Sequence, residues 1–104
     1  MTAYADPLRH TFPSRPRWPY KAACHLYADT VEELHQLAAT LGLSPDWFRP
    51  REDFPHYDLT AAKRRQAVEA GAVEVTRDHA VRFARVRRLA NRREAHRDRR
   101  HPGP

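Results

Sequence analysis

The chain has a single cysteine and no long apolar run, and each of these shortages excludes a class of protein. With only Cys24 present, an internal disulfide is excluded and a reducing compartment is favoured. No apolar stretch approaches the roughly 20 residues that a membrane-spanning helix needs. Asp6 and several prolines stand near the amino terminus, where a signal peptide would have an apolar block. We therefore expect one small cytoplasmic domain without a membrane segment.

Most of the chain also lacks an excess of positive charge, although the formal net charge is +6. Residues 1–76 contain nine Lys and Arg against ten Asp and Glu, whereas residues 77–104 contain ten Arg, no Lys and three acidic residues. Arginine favours bidentate contacts with phosphate or carboxylate, and such a concentration of cations attracts polyanions. No base-reading signature such as a helix-turn-helix accompanies the arginines, so contacts would be made with backbone phosphates. The predicted nucleic-acid contacts are Arg85, Arg88, Arg92 and Arg93; a merely solubilising tail is the alternative.

Residues 1–90 have the pattern of a single small α/β domain. The predicted strands cover residues 3–6, 22–28 and 72–75, and the predicted helices begin at Thr30, Thr60 and near Arg77. A loop over residues 7–20, rich in Pro and Arg, excludes helix and central strand. Strands that alternate with helices predict a three- to four-stranded, mainly parallel sheet with crossover helices and a basic C-terminal helix. Residues 91–104 would then be a helical extension or a disordered tail.

The chain resembles a group of short bacterial and phage proteins catalogued as domain of unknown function 4031. The residues that carry the resemblance are Asp6, Trp18-Pro19, His25-Leu26, Asp29, Glu33-Leu34-His35, Leu41-Gly42-Leu43, His56-Tyr57-Asp58 and Gly71-Ala72-Val73. The resemblance covers about residues 3–76 and implies no established activity. Family members usually have a shorter link between the first Asp and the Trp-Pro pair, and the Arg-rich tail lies outside the resemblance.

Histidines and aspartates gather near the predicted strand-to-helix junctions, and these side chains bind metals or change protonation near neutral pH. We predict His56, Asp58 and His35 as catalytic residues and His25 as a ligand-binding residue. Asp6, Asp29 and Asp58 would hold a divalent metal, because two of them follow strands whose carboxyl ends meet at one edge of a parallel sheet. The alternative is structural: Asp29 suits a helix terminus and Asp58 a turn. The spacing matches no standard zinc pattern.

Three further residues are candidates for contact with an anionic ligand. Lys63 and Arg64 lie in the first turns of the second helix, where the helix dipole disfavours cations, and a phosphate bound at that terminus would explain them. A solvated helix face is the alternative. Trp18 lies among arginines of the loop, and this mixture of cations and an aromatic ring suits stacking on bases. The alternative is an exposed loop that one tryptophan holds against the domain.

Three functions fit these features. The first is a binding module for a phosphate-bearing ligand, either a nucleotide or a nucleic acid, with affinity added by the Arg-rich tail. The second is a metal- or histidine-dependent phosphoesterase or nuclease with a divalent metal as cofactor. The third is a partner-interaction protein whose histidines are purely structural. We expect the side chains of His25, His35, His56 and Asp58 to converge if either of the first two is correct.

Overall fold

The computed structural model describes residues 2–11 and 20–100, with the side chains described as far as residue 95. The described strands are β1 (Ala3–Ala5), β2 (Arg9–His10), β3 (Ala22–Ala28), β4 (Phe48–Arg49), β5 (His56–Leu59) and β6 (Val73–Glu74). The described helices are α1 (Val31–Thr40), α2 (Ala61–Glu69) and α3 (Arg77–Arg100), with a 3-10 turn at Pro45–Trp47. The predicted α/β class is therefore confirmed.

The ends of α1 and α2 follow from short polar signals in the sequence. The hydroxyl of Thr30 accepts a hydrogen bond from the Glu33 N–H, and the hydroxyl of Thr60 accepts one from the Lys63 N–H, each at 3.2 Å. These bonds satisfy amide groups that the first turn of a helix leaves without partners. Gly42 follows α1 with a φ of 74°, a left-handed conformation that glycine adopts without strain.

The sheet is mostly antiparallel, so the predicted mainly parallel arrangement is wrong. Its strand order is β4-β5-β3-β1-β6, with β2 also pairing with β3, and among these pairs the β1–β6 pair is parallel. Parallel neighbours need a long crossover connection, usually a helix. Both β1 and β2 run antiparallel to β3, so the chain reverses direction between β2 and β3. The strands β2, β4 and β5 were not predicted, and the hairpin that β4 forms with β5 reverses the direction of β5.

The helices lie on both faces of the sheet and make a three-layer domain. On one face, α1 and α2 bury Leu34, Ala38 and Ala67 against Leu26 and Leu59 of the sheet. On the other face, α3 packs Phe83 against Tyr27, with ring centroids 4.9 Å apart. The Tyr27 hydroxyl and the His79 Nδ1 atom are 2.7 Å apart and share a hydrogen bond. No helix in the described part of the chain is long and apolar enough to cross a bilayer.

Cys24 belongs to the core on the α1 and α2 face and is fully buried. Burial, together with the nearby charge of Asp6, raises the pKa of its thiol to about 12. The side chain therefore packs as a small protonated hydrophobe. Its neighbour His25 projects to the opposite face, as successive residues of a strand do.

Candidate functional site

Three of the predicted site residues converge on the α3 face of the sheet, and we call them the histidine cluster: His25, His56 and Asp58. His25 on β3 lies directly opposite Asp58 on β5 in the antiparallel register. His56 lies two residues before Asp58, so its side chain points to the same face. One ligand atom from each of the three lies within 4.8 Å of the others. Simple sheet geometry thus brings together residues that are 33 positions apart in the chain.

The ring of His25 has a defined orientation and a defined tautomer. Its Nδ1 atom lies 2.7 Å from a carboxylate oxygen of Asp6, which can only accept a hydrogen bond when ionised. Its Nε2 atom lies 3.2 Å from a guanidinium nitrogen of Arg9, which can only donate. His25 therefore carries its proton on Nδ1, and its Nε2 atom accepts the Arg9 hydrogen bond and lies 4.0 Å from Asp58.

His56 has the same tautomer for a different reason. Its Nδ1 atom lies 2.7 Å from the carbonyl oxygen of Phe54, so Nδ1 donates and Nε2 faces Asp58, whose Oδ1 atom is 3.6 Å away. The ring is buried and meets the His25 ring edge-on, with centroids 4.8 Å apart. Phe54 packs against both imidazoles, at centroid distances of 5.3 and 5.0 Å. Packing and hydrogen bonding therefore hold both rings in place.

Asp58 completes the cluster as an ionised carboxylate. Burial raises the pKa of its carboxyl, but the contact with His56, the imidazole of His25 and the positive charge of Arg49 outweigh burial, so the pKa lies below its usual value. The Oδ1 atom of Asp58 lies 4.0 Å from the His25 Nε2 atom. On its other side, the Arg49 Nε atom lies 3.5 Å from the second carboxylate oxygen.

A local bulge brings Asp6 to His25. The register of β1 and β2 against β3 shifts by one residue between Ala5 and Arg9, so the chain at Asp6 leaves the regular ladder. The Asp6 carboxylate, rather than its backbone carbonyl, accepts the hydrogen bond from the His25 backbone N–H. The carbonyl is instead bound by the Arg64 guanidinium at 2.9 Å. Arg64 therefore acts on the site indirectly, by holding the backbone of Asp6.

The cluster has the donor set and the supports of a transition-metal site. Two imidazole nitrogens and one carboxylate oxygen suit ions such as zinc, iron(II) or manganese. Ligand atoms around one ion lie at most about 4 Å apart, since metal–ligand distances are roughly 2.0–2.2 Å. The two separations to Asp58 are 3.6 and 4.0 Å, and the three ligand atoms together lie within 4.8 Å, so the set would contract slightly around an ion. Metal-binding histidines usually donate their second N–H to a carboxylate or a backbone carbonyl. Asp6 and the Phe54 carbonyl are such acceptors.

A cleft of about 290 Å³ opens beside His25, and we call it the arginine cleft. It is lined by His25 and by the charged residues Asp6, Arg9, Arg51, Asp53, Arg77 and Arg88. The Arg88 guanidinium lies 3.0 Å from Asp53, and this hydrogen bond lowers the pKa of the Asp53 carboxyl. Four arginines face two carboxylates, so the cleft next to the histidine cluster has a net positive charge.

His35 lies on the opposite side of the sheet from the cluster. Its Nδ1 atom and the Tyr57 hydroxyl are 2.8 Å apart, and its ring meets Phe48 edge-on at 4.6 Å. Tyr57 stands between His56 and Asp58 on β5 and so projects to the other face. The predicted convergence therefore holds for three of the four residues, and the catalytic role predicted for His35 has no support from its position.

Asp29 also lies away from the cluster, so the predicted metal ligands Asp6, Asp29 and Asp58 do not all meet at one site. One of its carboxylate oxygens accepts a hydrogen bond from the Thr2 N–H at 2.9 Å, and the other accepts one from the Tyr4 hydroxyl at 2.7 Å. It is four residues beyond His25, which is about 13 Å along a strand. The antiparallel pairing of β1 and β3 is the reason, because it puts the ends of the two strands at opposite edges of the sheet.

The two cations of α2 bind groups within the protein. The Lys63 ammonium donates to the Leu41 carbonyl at 2.6 Å and to the Gln66 side chain at 3.3 Å. Beyond its bond to Asp6, Arg64 pairs with Glu74 at 2.8 Å. A phosphate at the amino end of α2 was predicted to explain these cations, but both have partners within the protein, and Lys63 satisfies a carbonyl at the end of α1.

Of the remaining predicted contacts, Trp18 lies outside the described residues. Arg85, Arg92 and Arg93 are exposed on α3, and Arg88 lines the arginine cleft. The sequence patterns did not single out Arg9 or Arg49 as site residues. The prolines of the predicted loop offered an indirect signal for Arg9. Prolines disfavour the crossover helix that parallel pairing needs, so the residues before the loop are expected to pair antiparallel with the strand that contains His25.

Comparison with known proteins identifies the family of this chain. The family model described as "Protein of unknown function (DUF4031)" matches residues 4–87. The chain belongs to this family. The DUF4031 match spans Asp6 and the whole histidine cluster, and it confirms the resemblance seen in the sequence. The protein is also 35% identical over 63 residues to the uncharacterized protein YneQ of Bacillus subtilis (strain 168), covering 61% of this chain and 57% of YneQ. No solved structure matches the chain.

Proposed function

We propose that this protein binds a divalent transition-metal ion at the histidine cluster and uses it to hold a phosphate-bearing ligand. One observation carries the proposal: the Nε2 atoms of His25 and His56 both lie within 4.0 Å of the Asp58 carboxylate. The ligand atoms lie within 4.8 Å of one another. Hydrogen bonds from both Nδ1 atoms support the metal-binding tautomer and the orientation of each ring.

Three protein ligands leave room in the coordination sphere for a ligand from solution. When bound, the ion would supply Lewis acidity to a phosphoryl oxygen. The chain itself would contribute the arginine cleft, in which guanidinium groups are suited to bidentate contact with phosphate. Arg9 is exposed and already contacts His25, so its side chain can move from the imidazole to an incoming phosphate. The net positive charge of the cleft favours this exchange.

Hydrolysis of a phosphate ester is a second candidate function. The observation that favours it is the number of ligands, since the histidine cluster offers three. Structural zinc sites usually have four protein ligands, whereas catalytic sites usually have three and keep one position open for water or substrate. Asp6 would then keep His25 in the correct tautomer, and the arginine cleft would stabilise negative charge that develops on the phosphoryl group.

Calorimetric titrations test the proposal on the full chain. Metal-stripped protein is titrated with Zn²⁺ and with Mn²⁺, and both the metal-free and the metal-loaded protein are then titrated with inorganic phosphate. We expect saturable metal binding at one site per chain and phosphate affinity at least about tenfold higher in the metal-loaded protein, a gain of about 1.4 kcal/mol. Equal phosphate affinity in the two forms, or the absence of metal binding, would contradict the proposal. Release of nitrophenol from p-nitrophenyl phosphate distinguishes hydrolysis from binding.

Asp6→Asn should lower metal affinity by about 10- to 100-fold, the usual cost of altering a group that orients a metal-binding histidine. The Asn amide can accept only one of the two hydrogen bonds that His25 donates to Asp6. Asp78→Asn makes the same change of charge at an exposed position in the first turn of α3 and should leave the affinity unchanged. Metal affinity of Asp6→Asn equal to that of the wild type would mean that Asp6 does not orient His25 for binding.

A further inference from the structure

A second cleft lies on the other side of Asp58, and we call it the tryptophan cleft. Its volume is about 700 Å³, within the range of roughly 300–1,000 Å³ that is common for ligand pockets. Its lining includes Tyr20, Leu43, Trp47, Arg49, Asp58 and Lys63. Asp58 therefore belongs both to the lining of this cleft and to the histidine cluster.

Two large aromatic side chains on this cleft are exposed. Trp47 is 55% exposed and Tyr20 is 52% exposed. The neighbouring Phe48 instead packs inward, against His35 and Tyr57. An exposed indole offers a large flat surface for stacking, and aromatic side chains of this kind are enriched at binding sites.

Trp47 lies two residues before Arg49, and Arg49 contacts Asp58 of the histidine cluster. Ser44 caps the 3-10 turn Pro45–Trp47, and the chain then enters β4. Arg49 of β4 lies opposite His56 in the register, and its side chain contacts Asp58 at 3.5 Å. The indole of Trp47, the guanidinium of Arg49 and the carboxylate of Asp58 therefore all line this cleft.

We infer that the tryptophan cleft receives the base of a nucleotide whose phosphate lies at the histidine cluster. This inference rests on the proposed function and names its ligand class. Bases stack on indole faces with little dependence on sequence. Lys21, Arg49 and Lys63 on the lining outnumber Asp46 and Asp58, so the cleft has the charge that suits a sugar-phosphate. The same chemistry fits a free nucleotide and a nucleotide within a single strand.

The test compares ligands and variants on metal-loaded full-length protein by calorimetry. Adenosine 5′-monophosphate should bind at least about tenfold more tightly than inorganic phosphate. Trp47→Ala should weaken its binding by roughly 5- to 150-fold, the range that loss of one stacked base corresponds to, and should leave the affinity for inorganic phosphate unchanged. Trp47→Phe should retain most of the affinity. Because Trp47 is exposed, neither variant is expected to impair folding.

The outcomes separate this inference from the proposed function. Equal affinity for the nucleotide and for inorganic phosphate would overturn the inference and leave the proposed function standing. The same is true if Trp47→Ala weakens both ligands equally, since Trp47 would then act on the phosphate site alone. Failure of both ligands to bind would overturn the two proposals together. An oligothymidylate that binds more tightly than the mononucleotide, with the same dependence on Trp47, would identify the source as a single strand and support the inference.

Discussion

Replacing His56 with Ala should lower the affinity of the protein for Zn²⁺ by about 100-fold or more. Altering a group that only orients a ligand costs roughly 10- to 100-fold, and loss of a direct ligand should cost more. The imidazole is buried, its Nδ1–H donates a hydrogen bond to the Phe54 carbonyl, and its Nε2 atom lies 3.6 Å from Asp58. Calorimetric titration of metal-stripped protein measures the change, and phosphate affinity should fall with it.

Two further variants make this result interpretable. His56→Asn keeps an amide donor for the Phe54 carbonyl but lacks the Nε2 atom, so it should fold like the wild type and still lose metal affinity. His35→Ala removes a histidine on the opposite face and should bind metal like the wild type. Wild-type affinity in His56→Asn, or an equal loss in His35→Ala, would show that the histidine cluster is not the metal site.

Leu34→Ala should destabilise the fold by about 2–5 kcal/mol, the usual cost of removing a fully buried leucine. Leu34 is 1% exposed and anchors α1 in the core that contains Leu26 and Tyr57. This loss is a large fraction of the total, because the free energy of unfolding of a folded domain is only about 5–15 kcal/mol. Thermal unfolding should show a midpoint lowered by roughly 10–20 °C.

Leu89→Ala is the matched control, because it removes the same atoms from a side chain that is 49% exposed on α3. Its effect should stay within about 0.5 kcal/mol, as for most surface substitutions. Similar midpoints for the two variants would contradict the core assignment. Since Leu34 lies on the face opposite the histidine cluster, metal affinity of folded Leu34→Ala should match that of the wild type.

The helices and their ends were predictable because their signals are local. A threonine that caps the first turn and a glycine that follows the last one act within a few residues, and both α1 and α2 have such a pair. The same holds for the 3-10 turn after Ser44, whose proline suits a first helical position. The apolar stripe of α1 likewise predicted its buried face, including Leu34.

The candidate site was predictable in its residue types but only partly in its membership. Histidine and aspartate near strand ends indicated the chemistry, and His25, His56 and Asp58 do converge. Whether His35 joins them depends on which face of β5 holds Tyr57, its hydrogen-bond partner, and no local pattern states this. The exclusion of Asp29 depends on the direction of β1 relative to β3.

Local patterning thus determined the helices, the buried apolar faces and the polar residues available for a site. Strand direction and register came only from long-range pairing. The two-residue strand β4 reverses β5, and a one-residue bulge after Ala5 turns the Asp6 carboxylate onto His25. Strands this short carry almost no periodic signal of their own. Their pairing is chosen by the whole set of hydrogen bonds and by burial of both sheet faces, and that choice assembles the histidine cluster.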